Sequence, residues 1–240
     1  MKLINRTRLA NHKMLQSFCV VAFLLFNGLL FSQDFAADFQ AVQKFNQNEI
    51  LALEFTVESH FKMGDTDTLI VYKGSSVRYN EMYYSKNGSI EIIADNNVMI
   101  TADHKNKTLK LYSPAILKEI QRKQAMSFSF VDEQRDSVVY LGLFANIKKY
   151  EVFTKNNTIN SVVVKIDEQN RLCELTINYL PNQSGLLTTS TKFSNYNTQF
   201  KKNDFVWKTQ DFVLHKKKEY ILTPSFEKYR LFNNIELEKN

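Results

Sequence analysis

From Ile50 onward the apolar residues of this chain recur at every second position, in one short run after another. Leu51, Leu53, Phe55 and Val57 form the first run, and mainly polar residues separate them. A period of two places successive side chains on opposite faces of a β-strand, so each run has one face to bury. The breaks between runs are short and rich in Gly, Asn and Asp. Consecutive strands must therefore run antiparallel, because parallel neighbours need long crossovers.

The first half of the chain predicts a meander of six strands. After the run at Ile50 we expect strands at Thr68–Lys73, Val77–Tyr84, Ser89–Ala94, Val98–Ala102 and Thr108–Tyr112. The predicted turns are Gly64-Asp65, Gly74-Ser75, Asn87-Gly88, Asp95-Asn96-Asn97 and Lys105-Asn106-Lys107. Gly and Asn tolerate the positive φ that tight hairpin turns require.

The second half predicts five more strands and a less regular tail. The strands are expected at Val138–Leu143, Tyr150–Phe153, Val162–Asp167, Leu172–Leu180 and Leu187–Phe193. A turn at Glu168-Gln169-Asn170 joins two of them. The tail carries apolar residues at Trp207, Phe212–Leu214 and Tyr220–Leu222.

Helical spacing occurs at two places in the chain. After Asp34, a residue type suited to the N-cap, Phe35, Phe39, Val42 and Phe45 share one helix face, and this helix should end near 46–48. A second helix, about 114–125, should begin at Ser113-Pro114, because Ser caps helices and Pro suits their first position. Its inward residues are predicted to be Ile116, Leu117 and Ile120. The predicted fold class is therefore mainly β with helices (α+β).

The N-terminus has the features of a secretory signal peptide. Residues 1–32 hold four basic residues and no acidic one, and Phe18–Phe31 is an apolar stretch ended by the small residue Ser32. A bilayer span needs about 20 apolar residues, so this stretch favours cleavage near Ser32 over an anchor that stays in place. We expect residues 1–32 to be removed, 33–240 to form a single β-rich domain, and the protein to be periplasmic.

Composition argues against nucleic acid as a partner. The net charge of +6 comes largely from the N-terminus, since 27 basic and 25 acidic residues remain beyond it. Motifs for hydrolases, phosphate loops, dinucleotides and zinc are absent, so we expect no enzyme activity, metal or cofactor. Cys173 alternates in phase with Leu175 and Ile177, which indicates a buried and unreactive thiol on a strand.

The order of elements resembles the LolA-like family of periplasmic lipoprotein carriers. The most similar stretches are Asp95–Thr101 and Thr108–Pro114, in which a turn led by aspartate precedes a strand and a second strand ends in tyrosine, a small polar residue and proline. The hairpin of Val162–Asp167 and Leu172–Tyr179 is similar to the second meander of that family. The early proline-phenylalanine-arginine step of the family is missing, and only Val77-Arg78-Tyr79 approximates it.

The resemblance implies an open antiparallel β half-barrel covered by short helices, with an apolar cavity for an acyl chain. The implied cavity residues are Leu53, Phe55, Val57, Val98, Ile100, Leu109 and Leu111. Arg78 would take the place of a gating arginine, and the lid would carry Phe35, Phe39, Ile116 and Ile120. Burial of an acyl chain is favourable by about 0.8 kcal/mol per methylene.

Two functions remain open from the sequence. The first is a monomeric carrier or binder of lipid or lipoprotein, in contact with inner- or outer-membrane proteins of the envelope. The second is a non-enzymatic accessory or assembly protein of a secretion or surface system, which uses the same fold as a docking platform. A carrier needs a hollow apolar interior, whereas a platform needs a filled one.

Overall fold

A computed structural model describes residues 35–117, 131, 134–181, 184–216 and 219–235. The predicted signal peptide, most of the second predicted helix and Ile120 lie outside these described residues.

The described residues form fourteen strands. The first six are β1 (Ile50–Met63), β2 (Thr66–Tyr79), β3 (Met82–Asn87), β4 (Ile90–Ala94), β5 (Met99–Asp103) and β6 (Thr108–Tyr112). The next five are β7 (Arg135–Phe144), β8 (Ile147–Thr154), β9 (Ile159–Asp167), β10 (Leu172–Tyr179) and β11 (Leu186–Asn197). The last three are β12 (Val213–Lys216), β13 (Glu219–Leu222) and β14 (Arg230–Asn233).

Twelve of these strands build one large sheet. Their order is β14-β6-β5-β4-β3-β2-β1-β11-β10-β9-β8-β7, and β12 with β13 forms a separate hairpin. All neighbours in the large sheet are antiparallel except β14, which runs parallel to β6. The two outermost strands, β14 and β7, do not pair with each other, so the sheet stays open. The predicted antiparallel half-barrel with short helices is confirmed.

Two helical segments lie where the sequence predicts them. Helix α1 covers 35–46, and a helical turn, α2, occupies 114–117. The Ser113 hydroxyl accepts a hydrogen bond from the Ala115 N–H at 3.3 Å, which is the expected capping contact. Short 3₁₀ turns occur at Lys202–Asp204, Thr209–Asp211 and Pro224–Phe226.

The pairing register divides the strands into an inner and an outer face. Residues directly opposite each other share a face. Phe193 pairs with Phe55 of β1 and packs against the core formed by α1, so Phe55 and its face mates are on the inner face. The α2 turn packs on the same face, because Leu117 contacts Tyr83, whose partner Arg78 lies opposite Leu51.

The C-terminal segment, residues 200–216 and 219–235, covers the outer face of β3–β6. Phe212 and Val213 form one core with Ile93, Ile100 and Leu111. Trp207 stacks on Tyr84 with ring centroids 4.0 Å apart, and Phe205 contacts Trp207 edge-on. The apolar residues of the tail therefore fill a core that the sheet leaves open on this side.

One predicted turn is wrong. Gly74-Ser75 does not interrupt the chain; β2 runs through it, and the turn falls at Asn80-Glu81. A Cβ on Gly74 would overlap the Phe55 ring and the Lys86 carbonyl. Glycine is needed here for close approach inside a sheet, a use that the sequence does not distinguish from a turn.

Candidate functional site

The centre of the inner face carries a strip of half-buried apolar side chains, between the region under α1 and the region under α2. We call it the apolar strip. It is built by β2, β1, β11 and β10, and its members are Leu53, Phe55, Val57, Phe61, Tyr72, Leu175, Ile177 and Phe193. Val57 is buried, and the others keep partial exposure. Such a surface, partly open and apolar, is suited to an apolar ligand.

The two faces of the same strands differ in charge. On β1, the inner residues from Leu53 to Phe61 and their direct partners on β2 and β11 are all uncharged. The outer face of these strands holds Glu54, Glu58, Lys73 and Lys192, with Lys192 Nζ 2.9 Å from the Glu58 carboxylate. The inner face is thus suited to apolar chains and the outer face to water.

Helix α1 is fixed beside the strip by a core and one ion pair. Phe35 and Phe39 are buried and stack with centroids 5.4 Å apart, and Tyr150 meets Phe35 edge-on. Asp38 accepts hydrogen bonds from Lys148 Nζ at 2.8 Å and from the Tyr150 hydroxyl at 2.6 Å. Charge-assisted bonds of this kind hold α1 over β8–β10.

Arg78 connects the sheet to the C-terminal end of α1. Its Nη1 donates to the carbonyl of Asn46 at 3.1 Å and to that of Asn48 at 3.4 Å. A cation at this position satisfies carbonyls at the helix end and complements the helix dipole. Burial lowers the pKa of the Arg78 guanidinium. The residue predicted as a gating arginine therefore contacts one of the predicted lid helices.

The predicted site residues fall on two different faces. Leu53, Phe55 and Val57 belong to the apolar strip, and Phe39 lies in the core that α1 forms on the same face. Ile116 of α2 packs against the inner-face core around Tyr83. The remaining four described residues lie in the core under the C-terminal segment: Val98, Ile100, Leu109 and Leu111.

Register explains this division. Leu53 lies opposite Ser76, and the line of partners continues through Ser85, Ile92 and Thr101 to Lys110, so Leu109 and Leu111 point to the outer face. The apolar alternation of a strand shows that it has a buried face. It does not show which face of the sheet that is, because hairpin geometry sets the register. The role of these residues in lipid binding stays a prediction.

Sequence reasoning missed the contribution of the second meander to the strip. Leu175, Ile177 and Phe193 lie on predicted strands, but pairing of β11 with β1 brings them beside Phe55 and Val57. The alternation around Leu175 and Ile177 was the available signal. The pairing of a late strand with the first one carries no local signal.

The His104 side chain contacts two other side chains. Its Nε2 lies 2.8 Å from Glu91 Oε2 and its Nδ1 lies 2.8 Å from the Tyr229 hydroxyl. The residue thereby ties the β5–β6 turn to the C-terminal segment. Among the described residues, no group of three or more His, Cys, Asp or Glu side chains is placed to hold a metal ion.

Cys173 lies at an irregularity in the pairing of β10 with β9 and is partly buried. Burial raises the pKa of its thiol, which keeps the thiolate scarce near neutral pH. Within the described part of the chain, no helix has the length and apolar character needed to cross a membrane.

No protein-family model and no curated protein sequence matches the chain. Its fold is similar to several solved structures. LprF from Mycobacterium bovis aligns with 71% of this chain and 96% of its own, at 10% identity and a TM-score of 0.41. MucB in the Pseudomonas aeruginosa MucA/MucB complex aligns with 70% of this chain and 58% of its own, at 9% identity and a TM-score of 0.38.

The LolA superfamily protein NE2245 from Nitrosomonas europaea aligns with 72% of this chain and 97% of its own, at 8% identity and a TM-score of 0.30. As the sequence predicts, a LolA superfamily structure is thus among those that the chain resembles. At these identities and TM-scores the likenesses assign this chain neither a function nor residue roles.

Proposed function

We propose that this protein binds and carries lipid or lipoprotein acyl chains on the apolar strip of its inner face. The observation that carries the proposal is the uncharged, half-buried inner surface made by the inner residues from Leu53 to Phe61 of β1 and their direct partners on β2 and β11, which Leu175 and Ile177 of β10 extend. The outer surface of the same strands is charged. Among the described residues, most of these apolar side chains stay partly exposed to solvent. An acyl chain laid along them removes apolar surface from water, at about 0.8 kcal/mol per methylene.

The two helical segments give the strip its borders. Phe35 and Phe39 of α1 lie on one side, and Ile116 of α2 lies on the other. The ligand would lie between them, in contact with Phe55 and Ile177. Binding of this kind is physical and needs neither a catalytic residue nor a cofactor.

We further propose that the protein is exported. Residues 1–32, with their basic start and apolar stretch, act as a signal peptide cleaved near Ser32, and 33–240 works as one domain in the periplasm. A carrier in that compartment would exchange its cargo with lipoproteins and with membrane proteins of the envelope.

The test uses protein purified without detergent after expression of the full chain. Native mass spectrometry and organic extraction identify co-purified lipid, and a fluorescent fatty acid measures uptake. Phe55→Glu places a charge on the strip and should weaken uptake at least about tenfold, because the carboxylate must stay hydrated. Ile177→Glu, on another strand, should do the same.

Thr56→Glu is the matched control. Thr56 is next in sequence but on the outer face, with Lys73 and Lys192 as its direct partners. The Thr56→Glu variant should take up as much fluorescent fatty acid as the unchanged protein. Equal uptake in all four proteins, each with an unaltered circular dichroism spectrum, would contradict the proposed site.

A docking platform is the second candidate, and one observation favours it. The β3–β6 half of the sheet is packed on both faces, by α2 on the inner side and by the C-terminal segment on the outer side. This half has the filled core that a platform requires. Protein that carries no lipid and takes up no fatty acid would support this function over the carrier.

A further inference from the structure

The outer half of β2 has a free edge. All of β2 pairs with β1, but β3 reaches only as far as the pair Gly74–Asn87. Residues 66–73 therefore have a strand neighbour on one side only among the described residues. A free strand edge offers unpaired N–H and C=O groups to another strand.

Hairpin geometry shows which backbone groups point outward. The loop Gly64-Asp65 has two residues, so its closing pair, Met63 and Thr66, exchanges both hydrogen bonds. The even residues of β2 consequently bond to β1. The odd residues, Asp67, Leu69, Val71 and Lys73, direct their N–H and C=O groups to the free side.

The same segment exposes three consecutive apolar side chains. Leu69 is 62% exposed, Ile70 47% and Val71 50%. The other free edges are less suited to pairing. Strand β7 has register irregularities at Arg135/Ser137 and at Tyr140/Gly142, which bend it, and β14 has only four residues. The β2 edge pairs with β1 without any irregularity.

We propose that the free edge of β2 binds the same edge of a second copy of this chain, in antiparallel orientation. Charge is what identifies the occupant. The edge has acidic residues at one end, Asp65 and Asp67, and a basic residue at the other, Lys73. Antiparallel pairing of two copies brings each acidic end to the basic end of the other, and a two-fold axis relates them.

A register centred on Leu69 brings the oppositely charged ends of the two copies together. It places Lys73 opposite Asp65 of the second copy, with Asp67 on the diagonal, and it joins outward-facing odd residues to one another. Lys73 is the last residue of this free edge, because Asn87 pairs with the next residue, Gly74. The pairing buries the three exposed apolar residues of both copies. It replaces the monomer expected from the sequence.

The test is charge reversal, measured by sedimentation velocity at protein concentrations up to about 100 μM. The unchanged chain should dimerise in a concentration-dependent way. Lys73→Glu alone and Asp65→Lys alone should each weaken the dimer about tenfold, because two-fold symmetry repeats the like-charge contact. The double variant, Lys73→Glu with Asp65→Lys, should restore the dimerisation of the unchanged chain.

Restoration can arise only between copies. Within one chain, residues 65 and 73 are eight positions apart on an extended strand, roughly 27 Å, so reversed charges cannot meet there. Val139→Glu, on the β7 edge, is the control and should leave the dimer unchanged. Dimers that survive both single reversals, or a double variant weaker than either, would overturn the proposal.

Amide hydrogen exchange gives a second readout of the dimer. A folding defect would not produce the alternating protection that pairing of the β2 edges predicts. Even amides of residues 66–73 should be protected at every concentration, because they bond to β1. Odd amides should be protected only at high concentration. A chain that stays monomeric, with fast odd amides throughout, would exclude the second copy as the occupant of this edge.

Discussion

At the scale of single residues, Tyr84 shows how the C-terminal segment is joined to the sheet. Its ring is buried under Trp207, and its hydroxyl interacts with Glu91. Burial, and after it the hydrogen bond and charge of Glu91, raise the pKa of Tyr84 to about 12. The phenolate is the disfavoured form here, because it would be desolvated beside a carboxylate.

This shift predicts a loss of stability in alkali. The unfolded chain gives up the Tyr84 proton near its ordinary pKa of 10.0, whereas the folded chain keeps it to about 12. The stabilisation is therefore complete below pH 10 and is lost as the pH rises through about 12. Urea unfolding at a series of pH values should show this decline.

Tyr84→Phe is the control, because it removes the titrating group and keeps the ring. Its unfolding free energy should fall less steeply than that of the unchanged chain over the same pH range. Equal slopes in the two proteins would show that other tyrosines cause the decline.

At the scale of elements, α1 and the hairpins were predictable for a local reason. The spacing of Phe35, Phe39, Val42 and Phe45 gives the helix face, and α1 ends at 46 as expected. Turns such as Asp95-Asn96-Asn97 are also local, since the Asp95 carboxylate accepts the N–H of Asn97 at 2.7 Å. Contacts within a few residues leave a pattern in the sequence.

The face that each strand presents was not predictable, and the reason is register. Leu53 and Leu111 have the same alternating pattern, yet one lies on the inner face and the other under the C-terminal segment. Five hairpin turns separate them, and a change of one residue at any turn would reverse the outcome. Four of the seven predicted cavity residues therefore lie on the face opposite to Leu53, and their part in lipid binding stays a prediction.

The attachment of α1 to β2 gives an element-scale prediction. Arg78→Met removes both hydrogen bonds to the carbonyls of Asn46 and Asn48, and the helix end loses its cation. Each bond to a charged donor is worth about 1.5–3 kcal/mol at most. We expect the amides of 35–46 to exchange several-fold faster, while those of β9 and β10 keep their protection.

Lys86→Met is the comparison for Arg78→Met, since Lys86 is an exposed cation on the neighbouring strand β3. It should leave the exchange of α1 unchanged. If both variants, or neither, accelerate exchange in α1, Arg78 does not fix the helix end.

At the scale of the whole molecule, the sheet separates two cores that lie on its opposite faces. One core joins α1 to β8–β10 on the inner face, and the other joins the C-terminal segment to β3–β6 on the outer face. Ile100, Leu109 and Leu111 are fully buried, and the C-terminal segment is what covers them on that side. The segment is consequently part of the fold and not a detachable cover.

Because the segment covers these residues, we expect the segment and the sheet to unfold together. Phe212 is buried and stacks on Phe226 with centroids 4.7 Å apart, so Phe212→Ala should cost about 3–5 kcal/mol of unfolding free energy. Trp207 is the single tryptophan of the chain, and its fluorescence reports on the packing of the segment against Tyr84 of β3. Circular dichroism reports on the strands. In urea, the two signals should change at the same midpoint in the unchanged chain, and Phe212→Ala should lower both midpoints equally.

A fluorescence change at a lower urea concentration than the dichroism change would mean that the segment leaves the sheet first. Strands β3–β6 would then stay folded, with Leu109 and Leu111 open to an apolar ligand. The outer face, in that case, would be a second place to look for bound lipid.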